Sequence, residues 1–185
     1  MRYSERITTM QSSPIRKLAH IASSAKAKGI KIYHLNIGQP DIKTPKVFFE
    51  AVKNFNNEVL EYAVSPGLPE LISSLQQYYT TYNMDFESDE ILVTNGGSEA
   101  LLFALMATCD PKDNILVPEP FYSNYNGFSQ SINVNITPIT TKAEEGFHLP
   151  SKEKIQSLIT SKTKAILISN PGNPTGTVYT KKNFT

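Results

Sequence analysis

The sequence contains no tryptophan and one cysteine, Cys109, so no disulfide can close within the chain and a reduced environment is expected. It has no excess of either charge. Its 18 Lys and Arg stand against 17 Asp and Glu, and the resulting +1 gives no electrostatic footprint for nucleic acid or an anionic membrane. It also lacks an apolar run of membrane-spanning length, and Met1-Arg2-Tyr3-Ser4-Glu5-Arg6 leads into no apolar export segment. No internal repeat and no low-complexity tract is present. These absences predict a globular, cytoplasmic protein whose partners include neither nucleic acid nor membrane. What is there is 185 residues, 39% hydrophobic and 19% charged, enough for one good core.

The chain is organised around Ile91-Leu92-Val93-Thr94-Asn95-Gly96-Gly97-Ser98-Glu99-Ala100. Residues 91–94 suit a buried strand, and Asn-Gly-Gly supplies the positive φ of a tight turn. From Ser98 to Ala107 the residues are strong helix formers and apolar on nearly every side, which predicts a buried helix ending near Cys109-Asp110-Pro111. The first N–H groups of that helix, near Gly97, Ser98 and Glu99, have no internal partners and lie at the positive end of its dipole. They suit a phosphate or carboxylate. The competing reading is an ordinary strand-to-helix turn capped by Ser98 and water. Neither nucleotide-binding glycine fingerprint is met, and the Glu99 side chain must point away from any anion. Cys109 reads as a packed thiol rather than a nucleophile.

Other segments fall around this one. Pro14 to Lys28 reads as an amphipathic helix closed by Gly29. Its Ser23-Ser24-Ala25-Lys26 matches S-x-x-K without the companion motifs that would make the serine a nucleophile. Lys31 to Ile37 alternates as a short strand and enters the bend Gly38-Gln39-Pro40-Asp41. A helix is expected from about Lys46 to Asn56 with Val47, Phe48, Ala51, Val52 and Phe55 buried. Another follows Pro69, and its Tyr78, Tyr79 and Tyr82 read as packing. Tyr62 stands in the loop ahead of that helix, where a phenol is more often functional.

Asn114 to Val117 and Asn135 to Ile139 read as strands, as does Lys164 to Ser169, the last of the buried parallel type. A helix from Ser151 to about Ser161 separates the second and third. The first of these strands runs into Pro118-Glu119-Pro120-Phe121-Tyr122-Ser123-Asn124-Tyr125, a stiffened loop delivering three aromatics where open α/β sheets bind ligands. Phe121 or Tyr122 can stack on a flat ring there, or both can simply cover the sheet edge. The third runs into Asn170-Pro171-Gly172-Asn173-Pro174-Thr175-Gly176, whose two Asn-Pro pairs fix the backbone, permit a cis bond before Pro174, and aim Asn173.

With these segments in their order, the chain resembles the N-terminal part of a fold-type I, pyridoxal-phosphate-dependent aminotransferase of class I/II, the group of aspartate and aromatic aminotransferases. The matching motifs are Gly38-Gln39-Pro40-Asp41, Tyr62 with Pro66-Gly67-Leu68-Pro69-Glu70-Leu71, Thr94-Asn95-Gly96-Gly97-Ser98-Glu99-Ala100, Pro120-Phe121-Tyr122, and Asn170 to Gly176. The resemblance implies an α/β/α sandwich on a mostly parallel sheet, present only in part. Residues 1–45 are then an arm contributing to a small domain, and residues 46–185 the N-terminal half of the cofactor-binding large domain.

The same resemblance implies site roles. The backbone of Gly97, Ser98 and Glu99 cradles the pyridoxal 5'-phosphate group, Tyr122 stacks on its ring, and Asn173 bonds its 3-hydroxyl oxygen. Gly38 offers its N–H to the substrate carboxylate, and Tyr62 reaches the phosphate of the other subunit in a homodimer. The family's Schiff-base lysine, the aspartate at the pyridine nitrogen and the arginine for the substrate carboxylate all lie beyond Thr185. The expectation is therefore a transferase of amino-acid metabolism, moving an amino group between an L-amino acid and a 2-oxo acid, of which this chain alone is inactive and truncated. No metal is expected. The alternatives are a lyase or synthase of the same fold, or a non-catalytic anion-binding module.

Overall fold

The computed structural model describes residues 2–10, 17–35 and 38–184. The expected helix start at Ser13-Pro14 and the strand end at Asn36-Ile37 lie outside the described residues. In chain order the elements are helices α1 Glu5–Thr9, α2 Ala19–Ala27, α3 Lys46–Lys53, α4 Pro69–Thr80 and α5 Gly97–Thr108. Then come strand β1 Asn114–Glu119, helix α6 Asn124–Ser131, strand β2 Asn135–Thr140, helix α7 Lys152–Gln156 and strand β3 Thr163–Ile166. The chain divides into two compact units, one of residues 1–21 with 97–185 and one of residues 22–96.

The first unit is a mixed α/β body built on a three-stranded sheet of order β2-β1-β3, parallel throughout. Asn-Ile-Leu-Val is a β-branched and apolar run, and in the central strand it is covered on both faces. Ile115 and Leu116 are 0% exposed, and each contributes about 1.5–3 kcal/mol by burial. Leu105, Ile115, Val117, Tyr125 and Val134 form the core, with Leu101, Cys109, Phe121, Tyr122 and Leu167 packed against it. Leu101, Leu105 and Cys109 recur at four-residue spacing, so a single stripe of α5 meets this core. The other side stays open, as exposed Phe103 and Met106 show. The helix is therefore half-buried, not buried all round as its composition predicts. Cys109 is a partly buried thiol against the core, as expected.

α6 begins at Asn124, inside the stretch Pro118 to Tyr125 that reads as a loop. Asn-Tyr-Asn-Gly-Phe-Ser-Gln-Ser is poor helix sequence, and packing overrides propensity. Tyr125 and Ser129, four residues apart, both point inward and are buried. Tyr125 is thus a core residue and not a loop aromatic. β3 is parallel as expected but half-exposed, with Ile166 open to solvent. The helix expected from Ser151 to Ser161 is shorter, ending at Gln156, and Ser151 caps it by accepting from the Lys154 N–H at 3.4 Å.

The second unit contains no strand among its described residues. Residues 31–35 and 91–94 are extended or irregular rather than paired, because a strand exists only through a neighbour's hydrogen bonds. Val93 N–H finds one such partner, the Pro66 carbonyl at 2.8 Å. Gly67, at φ +119, sits beneath that segment, and a Cβ there would lie 2.5 Å from Val93 Cγ2. α3 carries the expected apolar stripe, yet Val47, Phe48, Val52 and Phe55 are all exposed. α4 begins on Pro69 as expected and buries Ile72. Tyr78, Tyr79, Tyr82 and Phe86 form an edge-to-face aromatic chain along it, although Tyr78 and Tyr82 remain exposed.

Candidate functional site

Parallel strands deliver their following loops to one edge of the sheet. The chain lays down β2 on one side of β1 and β3 on the other, the departure from chain order beside which open α/β sheets bind ligands. Past the carboxyl ends of β1 and β3 lies a narrow crevice of 20 Å³, lined among others by Glu119, Phe121, Tyr125, Thr141 and Asn173. That is room for about one water, so a ring must lie over it rather than within it. A larger cavity of 710 Å³ opens among α1, α6 and the residues leading into β2. It lies at the amino end of the strands, and for that reason it is not the candidate site.

Asn173 is exposed on the loop after β3, and its amide makes no hydrogen bond among the described residues. The loop carries cis bonds before Pro171 and Pro174, the second of them as expected. On the β1 side, Phe121 stacks on Tyr125 at 6.1 Å between ring centres. Tyr122 meets Tyr125 edge-on at 5.6 Å and 89°. Its hydroxyl accepts a 2.7 Å bond from the Asn124 side chain. Of the two aromatics proposed for ring stacking, Phe121 shares the crevice with Asn173, while Tyr122 sits beside it on the core.

The helix start has the form the sequence gives it. Gly96 adopts φ +82 and its N–H donates to the Thr94 carbonyl at 2.7 Å, while the Thr94 hydroxyl donates to the Gly96 carbonyl at 3.0 Å. α5 then begins at Gly97, so the N–H groups of residues 97–99 have no carbonyl behind them within the helix. A Cβ on Gly97 would meet nothing within 4 Å. Leu101, one turn on, packs into the same core as Tyr122, which puts this helix, the aromatic loop and the sheet in one body.

Gly38 and Tyr62 belong to the other unit. Both are exposed, and the Tyr62 side chain is as open as in an unfolded chain. Two polar residues join the site that sequence reasoning missed. Asn124 holds the Tyr122 hydroxyl, and Glu119 accepts from the Thr140 hydroxyl at 2.9 Å while its carbonyl accepts from the Thr141 hydroxyl. Asn124 follows Tyr122 by two residues, a spacing that could have been noticed. The Glu119 contacts depend on strand register and could not.

The family model described as aminotransferase class I and II matches residues 30–185. The chain is 35% identical over 183 residues to a probable aspartate aminotransferase of Methanocaldococcus jannaschii, covering 98% of this chain and 46% of that protein. It is 31% identical to an asparagine–oxo-acid transaminase of Streptococcus mutans, covering 98% and 47%. Among solved structures, an alanine aminotransferase from Pyrococcus furiosus superposes with a TM-score of 0.86 at 35% identity, covering 98% of this chain and 47% of that one. The chain spans about half the length of the relatives it matches.

Proposed function

The chain belongs to the class I and II aminotransferases, and on that premise we propose that it supplies the N-terminal half of a pyridoxal-phosphate-dependent enzyme moving an amino group between an L-amino acid and a 2-oxo acid. The observation that carries the reading is the turn into α5, where Gly96 stands at φ +82 and the helix starts on Gly97, at which a Cβ would meet nothing within 4 Å. The residues present fit the group. The N–H groups of Gly97, Ser98 and Glu99 bind its phosphate, each charge-assisted bond contributing about 1.5–3 kcal/mol. Tyr122 offers a ring face, and the unengaged Asn173 amide donates to the ring oxygen. When bound, the cofactor supplies an aldehyde carbon for the amino group and a ring that withdraws electrons from it.

The other assignments follow the same reading. The Gly38 N–H takes the substrate carboxylate, and Tyr62 reaches the phosphate in a second subunit, so the working form is a homodimer. Residues 1–45 are the arm contributing to the small domain, and residues 46–185 belong to the large domain. The enzyme works in the cytoplasm. No helix among the described residues is long and apolar enough to cross a membrane. This half alone holds the cofactor weakly and does not transaminate. Titrating pyridoxal phosphate into this chain and into a protein of the family's full length, while following the cofactor's visible absorption, tests the reading. A shifted band and amino transfer in the long protein alone are the expected result. A long protein that neither binds the cofactor nor transfers an amino group would overturn it.

A further inference from the structure

The loop that presents Asn173 is held by a second asparagine. Within it the Gly172 N–H donates to the Thr177 carbonyl at 2.8 Å, and the Gly176 N–H returns to the Gly172 carbonyl at 2.7 Å. A ladder that pairs 172 with 177 should next pair 170 with 179, two residues outward on each side. There the main chain of Asn170 is replaced by its side chain. The Asn170 amide accepts from the Tyr179 N–H at 2.9 Å and donates to the Tyr179 carbonyl at 3.1 Å. A side-chain amide is acting as the missing peptide group.

The far strand of this small ladder is fixed in turn. The Thr177 hydroxyl donates to the Gly146 carbonyl at 2.9 Å, and the Tyr179 hydroxyl reaches the Phe147 carbonyl at 3.4 Å. Thr177 and Tyr179 are both buried, so the loop's return path cannot drift. The tip is tight as well. A Cβ on Gly172 would lie 2.5 Å from Thr175 Oγ1. Asn173 lies in the tip that both rungs close, next to the inner one at Gly172, so its direction depends on the ladder beneath it. Without the Asn170 amide, the two bonds it makes to the main chain of buried Tyr179 are lost and the outer rung opens.

We infer that Asn170 is a positioning residue: its side-chain amide completes the loop ladder from Ser169 to Tyr179 and so aims the Asn173 amide at the cofactor's ring oxygen. The inference rests on the proposed aminotransferase reading for what Asn173 touches, and on the hydrogen bonds above for how it is held. It assigns Asn170 no contact with cofactor or substrate.

The test uses the holoenzyme at the family's full length. Asn170→Ala removes both bonds without adding charge, and Asn170→Thr, neutral and of similar size, serves if the alanine variant does not fold. Amide hydrogen exchange at Gly172 and Tyr179 should accelerate at least about 10-fold. The pH midpoint of the cofactor's visible absorption should move in the same direction as in Asn173→Ala, by a smaller amount. In an Asn173→Ala background the Asn170 change should add no further shift. If Asn173→Ala moves the midpoint while Asn170→Ala leaves midpoint and exchange unchanged, the inference falls and the cofactor reading stands. It falls too if the Asn170 shift persists in full without Asn173. If neither variant moves the midpoint, the Asn173 contact falls and the positioning role with it.

Discussion

The two units of this chain carry similar sequence signals and reach opposite ends. In residues 97–185 an apolar strand is paired on both edges, and Ile115 and Leu116 vanish from solvent. In residues 22–96 an equally apolar helix, α3, leaves Phe48 57% and Val52 62% exposed, and the segment 91–94 forms no strand. The difference lies in pairing. A sheet gives each apolar residue a layer to face, whereas an amphipathic helix without a facing layer only displays its stripe. Burial is a property of the arrangement before it is a property of the residue.

That contrast is open to direct attack by mutation. Leu116→Ala should cost about 2–5 kcal/mol in urea unfolding of this chain, since it empties a site with no exposure. Phe48→Ala should stay within about 0.5 kcal/mol, as surface changes do. Equal costs would erase the distinction between the units. Inside the second unit, Gly67→Ala should cost about 1–3 kcal/mol, because the new Cβ collides with Val93 and the backbone stands at φ +119. Adding Val93→Gly, which removes both the Cγ2 at 2.5 Å and the Cβ at 2.6 Å, should return the part due to the collision. If it returns none, backbone strain alone explains the glycine.

A smaller effect sharpens the contrast from the side of function. In the full-length enzyme Tyr122→Ala should loosen the cofactor by about 0.5–1.5 kcal/mol, read from the dissociation constant. An unaltered constant would assign the stacking to another residue, and Phe121, which shares the crevice with Asn173, would be next.

The smallest effect comes from Tyr179. Burial pushes its phenol above the ordinary 10.0, so the folded state holds that proton more firmly than the unfolded state. Its contribution to stability is complete below about pH 10 and is lost as pH rises through the folded value. Tyr179→Phe should flatten the alkaline limb of the stability profile. An unchanged limb would assign that limb to other groups.

How much of this was legible beforehand follows from the same contrast. β1, the start of α4 and the extent of α5 were readable because a β-branched run, Pro69 and the glycine pair act locally. α6 was not, since its residues favour loop and only the burial of Tyr125 and Ser129 makes it a helix. Residues 31–35 and 91–94, read as strand, are unpaired for want of a partner, which no local pattern reports. The cis bond before Pro174 was legible because the two Asn-Pro pairs fix the backbone there. Asn170 was not legible in its role, because its partner is nine residues away and the pairing appears only when the loop closes.

The central claim is that the head of α5 receives a phosphate, and Gly97 is the position that decides it. Gly97→Ala adds a Cβ that meets no protein atom within 4 Å, so the fold should tolerate it, while that same Cβ intrudes on the space where a phosphate approaches the N–H groups. Measured in the full-length enzyme, the dissociation constant for pyridoxal phosphate should rise at least about tenfold, or about 1.4 kcal/mol, with the urea midpoint unchanged. An unchanged dissociation constant would contradict the account and return this helix start to an ordinary capped turn.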